Sequence, residues 1–382
     1  MCVIAIHTRF SGVFGDIVDA TSRFAVPFFF AVSGRFLVPH DMTQTPDIRR
    51  KVGKSLVKTL KLTFVVYLVY SIYSLIYHLC IGESFLGWLS SKYNLSEARW
   101  FFLFNSGKFV YDGSFTFDHM WYLFALIYVY GLIYIFAPVL RKWYKALIGI
   151  LLFFLFFGQL LQNYYPIRPF GISVNTWYVM RNWLFVGMPF VLMGILFSDY
   201  VASRKEALSD TEYKSLIVKW ALFGKVVIFV GLISGVIEFI IFGKKEVYLG
   251  SLLIVIGILF LSECGITGGR YLWKIGKEGS SNIYFYHVLV ISLLDQLSNM
   301  GYIPVIPMNV KPVLIMVICI LLVWLIPSYI LSKRKIKWTK KLFWNFAKIK
   351  WYSLMALQAL TLWRLECQQE CALRSGSWST RM

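Results

Sequence analysis

Charge is what this sequence has least of. Only 15% of its 382 residues are Asp, Glu, Lys or Arg, against about 25% in a soluble globular protein. Acids are scarcer than bases, 19 against 39, which leaves a formal net charge of +20. A chain that is 58% hydrophobic and 18% aromatic, with a mean hydropathy of +0.65, has too few polar groups to cover a soluble surface. Disorder, coiled coil and collagen fail on the same composition. Cysteine is sparse too. Of the six, Cys80, Cys264 and Cys319 sit in or beside apolar runs, and Cys367 and Cys371 lack partner histidines, so neither a disulfide framework nor a zinc site is indicated. Also missing are a 20–50-residue repeat, a Walker loop, a Gly-rich dinucleotide turn, a zinc-protease helix and a nucleophile elbow. ATP-driven motors and the common soluble hydrolases are set aside with them.

What the sequence has is long apolar runs. Each bilayer crossing takes about 20 mainly apolar residues as a helix. Such runs lie near 17–38, 60–80, 119–139, 144–161, 183–198, 217–242, 247–263, 281–298 and 312–332, and Met1 to His7 reads as the end of one more. The expected fold class is therefore all-α, a polytopic membrane helix bundle of about ten transmembrane helices with the first helix truncated. Basic loops recur at every second connection: Arg49 to Lys61, then Arg141, Lys142 and Lys145, then Arg204 to Lys219, then Arg270, Lys274 and Lys277, then Lys333 to Lys341. That alternation is the positive-inside pattern and places both termini in the cytoplasm of a plasma-membrane protein. A pI near 9.6 would suggest nucleic acid in a soluble chain; here it orients the bundle in a lipid bilayer. Residues 1–332 form the expected membrane domain. Residues 333–382 form a basic cytoplasmic tail, in which 333–353 mixes Lys with Trp and Phe as an interfacial helix does.

Polar groups at membrane depth are costly, so each is a functional candidate. His7 ends the first helix at its outer end, where an imidazole could take a proton from a hydroxyl or simply bond the next loop. In the second span Pro27 frees a backbone carbonyl, Ser33-Gly34 permits close helix approach, and Arg23 at the outer end either meets an anion or snorkels. Lys51, Lys54, Lys58 and Lys61 fall on one face at the cytoplasmic end of the third helix. They suit the phosphates of a cytosolic donor or the headgroups of anionic lipid. Asp118, His119, Trp121 and Tyr122 open the fourth helix, the two aromatics as expected interface anchors. Arg181 opens the sixth, and His287 lies among aromatics in the ninth. Glu238 and Asp295 are intramembrane acids that could line a transport path. The pattern calls for no metal.

The strings His7, Val26-Pro-Phe-Phe-Phe-Ala-Val-Ser-Gly34, His119-Met-Trp-Tyr-Leu-Phe-Ala-Leu126, Arg181-Asn-Trp-Leu-Phe-Val-Gly-Met-Pro-Phe190 and Ile283-Tyr-Phe-Tyr-His287 come in an order and spacing that resemble the acyltransferase-3 family of bacterial membrane acyltransferases, over residues 1 to about 332. The resemblance implies a ten-helix enzyme with no tightly bound cofactor. It would move an acyl group, usually acetyl, from acyl-CoA to a hydroxyl of a cell-surface polysaccharide or lipid-linked glycan. It also implies that His7 is the essential first-helix histidine and that Lys58 and Lys61, with Lys54 beside them, stand where the family has a paired-arginine motif at the CoA end. Lysine supplies the charge there but not the bidentate fork. Arg23, His119, Trp121, Arg181 and His287 are then acceptor-site or structural residues. The family's arginine about three helical turns before the histidine would precede Met1. Similar strings occur in the membrane moiety of serine racemases, where the helices are associated with serine uptake, so a transporter is the alternative, and an inactive relic a third.

Overall fold

The computed structural model describes residues 1–325 apart from 39, 41–43, 115–116, 162–163, 166–176 and 267. The basic tail and its expected interfacial helix lie outside the described residues. Among those described, every regular element is helical.

The chain opens with three short helices, α1 (Cys2–Thr8), α2 (Gly12–Ser22) and α3 (Ala25–Arg35). The expected second span is thus broken at Arg23 and Phe24. Proline supplies the reason: Pro27 has no N–H to offer the carbonyl four residues back, which is that of Arg23. The chain then runs through the 36-residue α4 (Thr45–Cys80), two short helices α5 (Phe85–Lys92) and α6 (Leu95–Phe104), and the pair α7 (Trp121–Ile135) and α8 (Ala137–Leu161). Only Phe136 separates this pair, so Arg141, Lys142 and Lys145 belong to the first turns of α8, not to a loop. The one-turn α9 (Trp177–Met180) and a π-helical turn (Trp183–Gly187) lead into α10 (Met188–Ala207). The long hairpin α11 (Asp210–Phe242) and α12 (Leu249–Glu263) follows, then α13 (Arg270–Asn299), α14 (Lys311–Ile318) and a second π-helical turn, Cys319–Leu325.

Among the described residues four stretches are long and apolar enough to cross a membrane: α4, α8, Trp183–Ala207 and α11; α7, α12 and Lys311–Leu322 are shorter apolar helices. Their outer faces are greasy, with Phe64, Leu68, Ile72, Phe229, Ile233 and Ile240 all exposed, as lipid contact allows. The protein is a multi-pass membrane helix bundle.

Without a hydrophobic drive between helices in lipid, close packing depends on small residues. Gly34 on α3 and Gly194 on α10 meet backbone to backbone: a Cβ at Gly34 would lie 1.9 Å from the Val191 carbonyl oxygen, and one at Gly194 would lie 1.9 Å from that of Ala31. The Ser33-Gly34 signal is therefore a helix crossing. Gly194→Val is expected to cost about 1–3 kcal/mol through forced backbone shifts, read as a lower unfolding temperature in detergent. The α11–α12 hairpin repeats the device, with Gly231 against Gly250 and Gly224 against Gly257.

The two ends of the bundle differ. One, here the basic end, carries the Arg35–Glu263 ion pair. There Asp199 accepts from the Tyr144 hydroxyl at 2.7 Å and lies 3.2 Å from His40 Nδ1. Arg49 donates to the last carbonyls of α7, those of Tyr134 and Ile135, both at 3.1 Å, where the helix dipole favours a cation. The other end is capped by α5 and α6 and by the loop reaching Met120.

Candidate functional site

Three histidines from three separate stretches of chain meet below the capped end. The rings of His7 on α1 and His287 on α13 lie 5.2 Å apart, and those of His119 and His287 5.5 Å apart, centroid to centroid. Local structure explains each placement. Thr8 bonds back to the Ile4 carbonyl at 2.7 Å, and Arg9 holds a positive φ of 39°, so the chain turns sharply just after His7. Such a conformation is costly for a residue other than glycine. His119 is fixed through its backbone, whose carbonyl accepts from the Tyr284 hydroxyl at 2.7 Å. Its ring sits edge-on to Tyr70 and Tyr284 at 5.3 and 5.4 Å. Tyr70 in turn donates to the Phe285 carbonyl, tying α4 to α13.

His7 is half-buried, whereas His119 and His287 are 2% and 0% exposed. Both ring nitrogens of His119 and Nε2 of His287 are buried without a hydrogen-bond partner. Buried polar atoms are nearly always satisfied, so each of these calls for a partner, whether an ordered water, a bound molecule or a chemical role. His287 Nδ1 is different: it lies 2.7 Å from the Tyr284 carbonyl and 3.1 Å from that of Ile283, on its own helix. The three rings do not form a metal-binding arrangement, and no other group of His, Cys, Asp or Glu among the described residues does.

On its other side His7 borders a small, partly open recess with a cavity volume of about 40 Å³, whose polar walls are His7, Arg23, Arg181 and Glu246 and whose aromatic wall is Trp121. Arg23 donates to Asp19 at 3.0 Å and to Glu246 at 2.9 Å. Arg181 lies 3.5 Å from the same Glu246, donates to the Tyr111 hydroxyl at 3.0 Å, and stacks on Trp121 with its guanidinium 5.3 Å from the ring centroid. The arginine is delivered by the π-helical turn, whose start Asn182 caps by accepting from the amides of Leu184 and Phe185 at 2.9 Å. A π turn widens the helix by one residue and is frequent at functional sites.

His7, Arg23, Trp121 and Arg181 thus share one recess, and His119 and His287 stand behind its histidine. Two expectations change in detail. Arg23 is only 9% exposed and doubly paired, so it does not snorkel. Trp121 and Tyr122 are 5% and 0% exposed and serve the core, not the interface, because one supports Arg181 and the other hydrogen-bonds Ser33 at 3.0 Å. The lysine stripe is not brought to the histidines. Lys54 and Lys61 are exposed and Lys58 half-buried on α4, and Lys58 precedes Tyr70 by twelve residues, about 18 Å of helix. The two intramembrane acids have local tasks: Glu238 accepts from the amides of Leu249 and Gly250 at the start of α12, and Asp295 pairs with Lys311 of α14 at 2.6 Å.

Glu246 was not legible beforehand. Its partner Arg23 is 223 residues away, and only the scarcity of acids marks it. Asp19 carried a better signal, standing four residues before Arg23 on a helix, a spacing that pairs opposite charges.

Residues 1–331 match the family model described as an acyltransferase domain. The chain belongs to the acyltransferase-3 family. No curated protein and no solved structure matches it. This acyltransferase-3 protein therefore has the general character of a membrane acyltransferase, and the ordered strings from His7 to His287 lie wholly inside the matched region. Glu246→Gln should unbalance the two arginines that share it. The expected result is weakened protection of the recess, read as faster amide exchange of residues 181–187 with the fold otherwise intact.

Proposed function

We propose that this protein is a plasma-membrane O-acyltransferase that moves an acyl group, acetyl being the expected one, from cytosolic acyl-CoA to a hydroxyl of a cell-surface polysaccharide or lipid-linked glycan. The observation that carries this reading is the half-buried His7 on the wall of a recess that also holds two arginines and a carboxylate. A base must reach the proton it abstracts, and a sugar hydroxyl needs planar donors and acceptors to orient it. Arg23, Arg181 and Glu246 supply both kinds.

The chemistry follows from the groups present. The acceptor hydroxyl attacks the thioester carbonyl while His7 takes its proton. The tetrahedral intermediate collapses, the carbon–sulfur bond breaks, and the CoA thiolate leaves and recovers the proton. The lysine stripe lies about half a bilayer away along α4. In this reading Lys54, Lys58 and Lys61 hold the donor's phosphates at the basic end, which faces the cytosol, and the acyl arm reaches up the bundle toward the histidines.

The test is chemical. Cells producing the full chain should carry base-labile acetyl esters on the envelope glycan fraction that vector-only cells lack, measured as acetate released by mild alkali. Equal acetate from both would refute the reading.

A further inference from the structure

The orphaned ring atoms behind His7 carry an inference that rests on His7 being the base and goes beyond it. A backbone carbonyl can only accept a hydrogen bond, so the two carbonyls at 2.7 and 3.1 Å oblige His287 Nδ1 to bear the hydrogen. In a neutral imidazole the other nitrogen is then an acceptor. That nitrogen, Nε2, is fully buried, unsatisfied, and belongs to the ring that packs 5.2 Å from His7. The His287 ring is held by its Nδ1 hydrogen bonds, so the approach falls to the His7 ring, whose rotation at that centroid separation turns a nitrogen toward Nε2. A gap in the unliganded protein matches the looseness common before substrate arrives.

We propose that His287 is the positioning residue for His7: its Nε2 accepts a ring N–H of His7 and so fixes the tautomer whose remaining nitrogen faces the recess as the base. The arrangement is specific in two ways. The backbone of α13, one turn before His287, sets which nitrogen of that ring is the acceptor, with no carboxylate involved. His7, not His119, borders the recess, so the accepted N–H has its other nitrogen directed at an incoming hydroxyl. A neutral partner also leaves the apolar surroundings without a second buried charge when His7 becomes cationic during turnover. His119 packs against the same ring at 5.5 Å and is the competing donor that the test must separate.

The protein contains five histidines, few enough to assign one by one. In the full chain, reconstituted in lipid nanodiscs with ¹⁵N-labelled histidine, the His287 signals should show Nδ1 protonated and Nε2 bare at neutral pH. His287→Phe should move the His7 ring signals from one tautomer to a mixture, while His119→Phe should leave them in place. A protonated Nε2 on His287 overturns the proposal, as does a His7 spectrum that responds to His119 and ignores His287. These readouts need no variant for their first arm and no turnover for any arm, so they stand apart from the fate of the acyltransferase reading. In membranes supplied with radiolabelled acetyl-CoA, His287→Phe should lower kcat by about 10²–10⁴-fold, as loss of a base's orienting partner does, with the KM for acetyl-CoA unchanged. His287→Gln keeps an acceptor oxygen at similar reach and should restore most of the rate. Equal kcat for wild type and His287→Phe, or no rescue by Gln, would also overturn it.

Discussion

Replacing His7 by Ala should lower acyl transfer by about 10²–10⁴-fold, the range for losing a general base, and leave the fold intact. His7 is half-buried at the end of the seven-residue α1, so the truncation opens more of a recess that already exists and creates no sealed cavity. The effect should fall on kcat, because in the proposed reaction His7 serves the acceptor hydroxyl, and some 18 Å of helix separates the histidine level from the lysines. His7→Gln should be nearly as inactive, since an amide oxygen is too weak a base to carry a proton. The measurement is radiolabel transfer from acetyl-CoA to the envelope glycan in isolated membranes, with unfolding temperature as the control. A His7→Ala protein that unfolds at the wild-type temperature and retains full transfer rate would remove the histidine from the chemistry.

The second large effect lies outside the recess. Between α4 and α7, Lys92 at the end of α5 and Asp112 form an ion pair whose side chains are 1% and 3% exposed. Asp112 also accepts from the Ser74 hydroxyl at 2.6 Å, and from the Ser114 amide and hydroxyl at 3.0 and 2.7 Å. Lys92 stands over the Phe117 ring at 3.5 Å. The pair ties α5 and residues 105–114, which include Tyr111 of the site, to Ser74 on α4. Lys92→Met should cost about 3–5 kcal/mol, because it strands a buried carboxylate, and should be read as a lower unfolding temperature in detergent. The pH dependence should also change sign. Burial by itself pushes the Asp112 carboxyl up, but Lys92 and the hydrogen bonds from Lys92, Ser74 and Ser114 hold it below its ordinary value. A depressed carboxyl contributes stability that is present above the unfolded pKa of about 3.9 and is lost as pH falls through the lower folded value. Without Lys92, burial dominates and the carboxyl rises, so the variant should gain stability as pH drops from 7 toward 5. A Lys92→Met protein whose stability falls with acid as the wild type's does would contradict this account of the pair.

Much of the site was legible in the sequence because apolar surroundings make polar residues conspicuous. His7, Arg23, His119, Trp121, Arg181 and His287 stood out against their runs, and the fold brings them within one cluster. The α2–α3 break was readable in Pro27, and the α3–α10 crossing in Gly34. Pairing was not. Which carboxylate answers Arg23 depends on the α11–α12 turn arriving beside α2, a tertiary event with no local signature. Nothing in the sequence neighbours of Lys92 and Asp112 announces their burial, which comes from packing against α4 and Phe117. Trp121 and Tyr122 matched an interface belt by composition, yet their register on α7 turns both inward to Arg181 and Ser33.

Sided transfer in everted membrane vesicles, where the cytoplasmic face is outside, separates the donor side of the reaction from the acceptor side. Radiolabelled acetyl-CoA added to the medium, which does not cross the bilayer, should label glycan enclosed within wild-type vesicles and leave His7→Ala vesicles at background. Label confined to the outer medium, or equal enclosed label in the two proteins, would contradict an enzyme that carries acyl groups from the lysine end to the His7 recess.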